Sequence, residues 1–129
     1  MCSILCTSKD VKDFDDVNYY LQFRGPDETS IVKDEVNNFT FLHNLLSMTG
    51  EITSQPFQKD DIICLYNGEI YNYKDFGDYE SDGYCLIDLY KQYGVDFVKK
   101  LDGEFAILLL DFSKDLMVIA TDPFKTKPM

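Results

Sequence analysis

The chain has 129 residues, 45% of them hydrophobic and 15% aromatic, enough for one folded domain with a core, which argues against a disordered chain. Its formal net charge of −11, from 23 acidic against 12 basic residues, argues against nucleic acid and anionic membranes, which both need basic patches. The longest apolar run, Phe105 to Leu110, is strand length, no stretch would span a bilayer, and no secretory signal opens the chain.

Taken in order, Ser3-Ile4-Leu5-Cys6-Thr7 is a short apolar run that predicts a strand. Val11, Phe14, Val17 and Leu21 recur at spacings of three and four, which predicts a helix. Arg24-Gly25-Pro26-Asp27 ends it in a turn. Thr29 to Val36 and Phe39 to Leu46 read as paired strands around an Asn37-Asn38 turn, and Ser47 to Phe57 as a loop. A strand runs from about Asp60 into Leu65-Tyr66-Asn67-Gly68-Glu69-Ile70-Tyr71-Asn72-Tyr73. Asp75 to Asp82 reads as an acidic loop, with Ser81 or Asp82 as the N-cap of the next helix. That helix carries an apolar stripe of Leu86, Leu89, Tyr90 and Tyr93, and Gly94 ends it. After a further helical turn, Phe105 to Phe112 and Leu116 to Thr121 form a hairpin through Ser113-Lys114-Asp115. This order predicts an α+β domain over residues 1–129 with largely antiparallel sheet.

The four cysteines, Cys2, Cys6, Cys64 and Cys85, form no Cys-x-x-Cys pair, and His43 is the lone histidine. No zinc site, other metal or cofactor is expected, and the thiols read as reduced in a cytoplasmic setting. Cys64 and Cys85 lie in apolar runs as small core residues, and Cys6 shares a strand face with Cys2.

Two features carry chemistry. Asn67 beside the unhindered N–H of Gly68 is a donor pair suited to an oxyanion, and Glu69 next to it could orient an amine. Asn-Gly is equally the commonest tight hairpin turn, and the stretch reads as a strand ending in such a turn. Cys2 follows the initiator, whose removal would leave a thiol and a free α-amine on one residue. An α-amine titrates near neutrality and can serve as base for its own thiol.

With these residues in place, the chain resembles the glutaminase domain of the class II (N-terminal nucleophile, Ntn) glutamine amidotransferases, asparagine synthetase type. The likeness rests on an ordered set: Met1-Cys2-Ser3-Ile4, Arg24-Gly25-Pro26-Asp27, Tyr66 to Asn72, Ser81-Asp82, Leu101-Asp102-Gly103-Glu104-Phe105-Ala106 and Asp122-Pro123-Phe124 with Lys127-Pro128. It implies a four-layer αββα sandwich, C-terminally shortened. It implies Cys2 as nucleophile on the glutamine side-chain amide, Asn67 and Gly68 as oxyanion donors, and Glu69 and Asp82 as ligands of the substrate α-ammonium. Asp82 as a plain helix cap fits the same position. The products would be glutamate and ammonia, the latter for an ammonia-accepting protein partner.

The departures point elsewhere. His43-Asn44-Leu45-Leu46-Ser47-Met48 resembles the family's His-x-Arg-Leu-Ser-Ile, with Leu45 where the arginine clamping the substrate α-carboxylate belongs. Leucine cannot make that charge-assisted pair. Ser3 replaces a glycine, and Thr121 and Lys125 replace an arginine and a glycine. The alternatives are a relative acting on another small amide, and a non-catalytic binding or regulatory module. The resemblance also implies further strands after Met129, so the C-terminal hairpin is expected to self-associate or dock on another subunit.

Overall fold

A computed structural model describes residues 2–48 and 52–129, which divide into two compact units, Met1–Pro56 and Phe57–Met129. Together the two units hold two antiparallel sheets and two α-helices, the α+β content expected from the pattern.

In the N-terminal unit, β1 (Ser3–Thr7), β2 (Glu28–Asp34) and β3 (Phe39–Leu45) form a sheet in the order β1-β3-β2. β3 is central because it is the most apolar of the three, and Phe41 and Leu42 in it are wholly buried. The β2–β3 turn is locked by Asp34, whose carboxylate accepts the Val36 and Asn37 N–H groups at 3.1 and 3.0 Å. Helix α1 spans Phe14–Leu21 and ends in a 3-10 turn, Gln22–Arg24. Of the expected stripe, Phe14, Val17 and Leu21 lie in the helix and are half-buried, while Val11 precedes it.

A buried polar network ties this unit together. Asn44 Nδ2 donates to Ser3 Oγ at 3.0 Å and to Asn18 Oδ1 at 3.1 Å, and Thr29 Oγ1 donates to Asn44 Oδ1 at 2.7 Å. Ser3 Oγ in turn donates to the Leu21 carbonyl at 3.0 Å. The serine after Cys2 thus has a physical reason: its hydroxyl joins β1 to β3 and α1.

In the C-terminal unit, β4 (Phe57–Lys59), β5 (Ile62–Ile70), β6 (Gly103–Asp111) and β7 (Leu116–Thr121) pair in sequence order. The pattern missed β4, a three-residue strand at the end of the expected Ser47–Phe57 loop, too short to show a period. Residues 49–51 of that loop lie outside the described residues. Helix α2 (Cys85–Tyr93) packs Leu86, Leu89 and Tyr90 against Cys64, Tyr66, Ile70, Ile107 and Leu109. Complete burial of a side chain such as Leu86 contributes about 2 kcal/mol.

Two local readings need correction. Tyr93 does not belong to the core stripe: it is 40% exposed, with Lys100 Nζ 5.3 Å from its ring centroid. Phe97, in the 3-10 turn Gly94–Lys100, is wholly buried and packs edge-on to Tyr90 instead. The side chain of Ser81 does not cap a helix, because the chain enters α2 through a 3-10 turn, Asp82–Tyr84. The helix end is as expected, with Gly94 at φ 60° donating its N–H to the Tyr90 carbonyl.

Candidate active site

Cys2 stands just before β1, half-buried, in the N-terminal unit. Its Sγ accepts the Leu46 N–H at 3.4 Å, and its carbonyl accepts Arg24 Nε at 3.4 Å. The Arg24-Gly25-Pro26-Asp27 turn is held in the same place by Asp27, whose N–H donates to the Leu45 carbonyl at 3.0 Å and whose carboxylate accepts the Ser47 N–H at 2.7 Å. Leu45 is buried at the end of β3, opposite Glu28, so an apolar side chain fills the position where the resemblance calls for an arginine. His43, two residues earlier, is 1% exposed, and its Nε2 has no hydrogen-bond partner among the described residues.

Burial pushes the Cys6 thiol up to about 11. Burial, then the Asp82 charge, pushes Cys85 up to about 12, and burial raises Cys64 further still.

Asn67, Gly68 and Glu69 lie in the C-terminal unit, and the expected turn there is absent. β5 runs unbroken to Ile70, and Asn67, Gly68 and Glu69 pair with Ala106, Phe105 and Glu104 of β6. A long cross-strand pairing overrides the hairpin preference of Asn-Gly. Gly68 is required by close approach: a Cβ there would lie 2.1 Å from the Glu104 carbonyl oxygen and 2.7 Å from Phe105 Cα. Gly103 meets the Glu69 carbonyl oxygen in the same way, at 2.1 Å. Asn67 is buried at 3% exposure, whereas Glu69 is exposed.

Asp82 joins this stretch. Its Oδ2 accepts the Tyr66 hydroxyl at 2.6 Å and the Ile70 N–H at 2.8 Å, so one oxygen holds both residues that flank Asn67-Gly68-Glu69. Its Oδ1 accepts the Gly83 N–H at 2.9 Å and Ser81 Oγ at 3.4 Å.

The C-terminal segment reaches the same end of β5 and β6. Glu104 is directly opposite Glu69, and Lys127 Nζ binds Glu104 Oε1 at 2.6 Å, offsetting the repulsion between two facing carboxylates. Lys127 is delivered by a turn built on buried Asp122, which accepts the Phe105, Phe124 and Thr126 N–H groups at 3.1, 2.9 and 3.0 Å. Lys125 in that turn has φ 53°, the left-handed region that suits the glycine it replaces. Residue type and spacing alone do not mark Tyr66, Arg24 and Lys127 as site residues. The only signal for Tyr66 was its place before Asn67, and Lys127 needs the Glu69–Glu104 register to be seen.

The glutamine amidotransferase domain family matches residues 1–129. An asparagine synthetase (glutamine-hydrolyzing) 1 of Saccharomyces cerevisiae is 36% identical over 116 residues, 80% of this chain and 20% of the relative. An asparagine synthetase (glutamine-hydrolyzing) 2 of Bacillus subtilis is 32% identical over 120 residues, 84% of this chain and 16% of the relative. Amidase chyE of Penicillium rubens is 35% identical over 95 residues, 65% of this chain and 14% of the relative. The chain therefore spans about a fifth of the length of the curated asparagine synthetases it matches. A match over every residue, together with asparagine synthetase relatives at this identity, shows that the chain belongs to the glutamine amidotransferase domain family.

Proposed function

We propose that this chain hydrolyses the side-chain amide of glutamine through Cys2. With Met1 removed, the Cys2 amine takes the thiol proton and the sulfur attacks the amide carbon. Asn67 Nδ2 and the Gly68 N–H carry the oxyanion. The C–N bond breaks, the nitrogen leaves as ammonia with that proton, and water then cleaves the thioester to glutamate, restoring the thiol. Glu69 and Asp82 take the α-ammonium. The supporting observation is the family match over residues 1–129, with the Cys2 sulfur seated on the Leu46 N–H at 3.4 Å and burial raising the thiols of Cys6, Cys64 and Cys85. Cys2→Ala is expected to lower ammonia release from glutamine by at least ~10³-fold at unchanged melting temperature. Release that persists in the variant would refute the role.

Buried Leu45 favours a second reading, an amide without a free α-carboxylate. A relative named an amidase, not a synthetase, accords with it. The discriminating comparison is kcat/KM for glutamine against 4-aminobutanamide, which lacks the carboxylate. A preference for glutamine of more than about tenfold would exclude this reading.

β7 is the last strand of its sheet, and Met117 and Ile119 on it are 47% and 61% exposed. This edge is the proposed seat of a second copy or of an ammonia-accepting partner. Light scattering after size exclusion at micromolar concentration should then give a mass above that of one chain. A monodisperse monomer would remove self-association through β7.

A further inference from the structure

Asp82 is surrounded by donors, and their lengths differ. A carboxylate offers about four acceptor positions, and four donors approach this one. Three are firm: the Tyr66 hydroxyl at 2.6 Å, the Ile70 N–H at 2.8 Å and the Gly83 N–H at 2.9 Å. The fourth, Ser81 Oγ, is at 3.4 Å, the edge of hydrogen-bonding distance. A cation arriving at Asp82 meets three positions already taken and displaces the weak fourth. The direction from which Asp82 can accept a ligand is thus set by its own neighbours.

Tyr66 makes the shortest of these bonds and is itself 4% exposed. Its ring is fixed from behind: a Cβ on Gly83 would lie 2.5 Å from the Phe57 ring and 3.2 Å from the Tyr66 ring, so glycine at 83 admits both. Burial, and then the Asp82 charge, raises the phenol well above its ordinary range, so near neutral pH it keeps its proton and donates. Tyr66 and Ile70 also bracket Asn67-Gly68-Glu69, and both end on Asp82 Oδ2.

We propose that Tyr66 is a positioning residue for the substrate cation: its hydroxyl sets the Asp82 carboxylate so that one acceptor position, beside Ser81, is left for the α-ammonium. This rests on the glutamine-hydrolysing reading above. Phenylalanine keeps the ring and removes the shortest of the three firm donors, leaving Asp82 Oδ2 held by the Ile70 N–H alone and the carboxylate less firmly aimed.

The test compares two amides of the same length in the full chain: glutamine, and glutaramate, which lacks the α-ammonium. Tyr66→Phe is expected to raise the glutamine KM on the order of tenfold with kcat within about twofold, and to leave glutaramate kcat/KM unchanged. Asp82→Asn should show the same selectivity. Ser81→Ala, which leaves Tyr66 in place, should keep the glutamine KM within about twofold. Equal losses on both amides in Tyr66→Phe would mean a general structural role and overturn the inference. So would a wild-type-like Tyr66→Phe beside an impaired Asp82→Asn, or a tenfold KM rise in Ser81→Ala. If wild type releases no ammonia from either amide, the parent reading falls and this inference with it; the other failures leave the parent reading standing.

Discussion

Gly68→Ala is expected to destabilise the protein by at least about 3 kcal/mol, through overpacking and backbone strain together. The added methyl would sit 2.1 Å from the Glu104 carbonyl oxygen and 2.7 Å from Phe105 Cα. Both are backbone atoms of β6, so neither yields without breaking the β5–β6 ladder, whose pairing runs from Ile62–Asp111 to Ile70–Gly103. The φ of +155° adds strain for any residue with a side chain. Gly94→Ala is the companion measurement. Its φ is +60° but nothing lies within 4 Å of the new atom, so it should cost only about 1 kcal/mol. Denaturant melts of the two variants separate close packing from backbone preference. Equal, small losses would show that β6 does not approach Gly68 as described. The comparison also bears on function: glycine at 68 is demanded by packing, whether or not its N–H meets an oxyanion.

The second large effect is acid destabilisation through His43. Burial holds its imidazole down to about 4, with the charge of Glu28 opposing the shift. An unfolded histidine takes its proton near 6.5, while the folded chain keeps His43 neutral until about pH 4. The unfolded state therefore binds more protons between those values. Stability is fully present above about pH 6.5 and falls as pH drops toward 4, by about 3 kcal/mol over the window. His43→Leu should flatten this slope. Asp111 acts lower: burial alone would raise its carboxyl, but hydrogen bonds from Ser113, Tyr90 and Lys114 hold it at about 2, below the ordinary carboxylate value. Its contribution is present above about pH 4 and lost as pH falls toward 2, outside the His43 window. Urea midpoints measured from pH 7 to pH 4 decide the matter, and identical slopes in wild type and His43→Leu would contradict the burial of a neutral imidazole.

Much of the chain was legible because its patterns are local. The β2–β3 hairpin announced itself by Asn37-Asn38 between apolar runs, the β6–β7 hairpin by Ser113-Lys114-Asp115, and α2 by a stripe ending at Gly94. The errors occurred where long-range pairing decides. Asn67-Gly68 has the local preference of a turn, yet β6 holds it as strand through nine consecutive pairs. Tyr93 continues the helical period, yet Phe97 fills the core beyond it. The candidate site divides along the same line. Cys2, Asn67, Gly68, Glu69 and Asp82 could be picked out as residue types with suitable chemistry. The tether from Asp82 to Tyr66 and Ile70, the hold of Arg24 on the Cys2 carbonyl, and the Lys127–Glu104 pair beside Glu69 depend on register and turns that no spacing reports.

The central claim is that Cys2 is the nucleophile, and the most direct measurement is alkylation by a glutamine-like electrophile followed by peptide mapping. Intact mass of the same sample from the native host establishes whether Met1 has been removed. The account predicts Met-free protein, with the label on Cys2 appearing at least about 100-fold faster than on Cys6, Cys64 or Cys85, whose thiols burial holds protonated. Excess glutamine should slow that labelling. Equal labelling of all four cysteines, or an unlabelled Cys2 in Met-free protein, would contradict it.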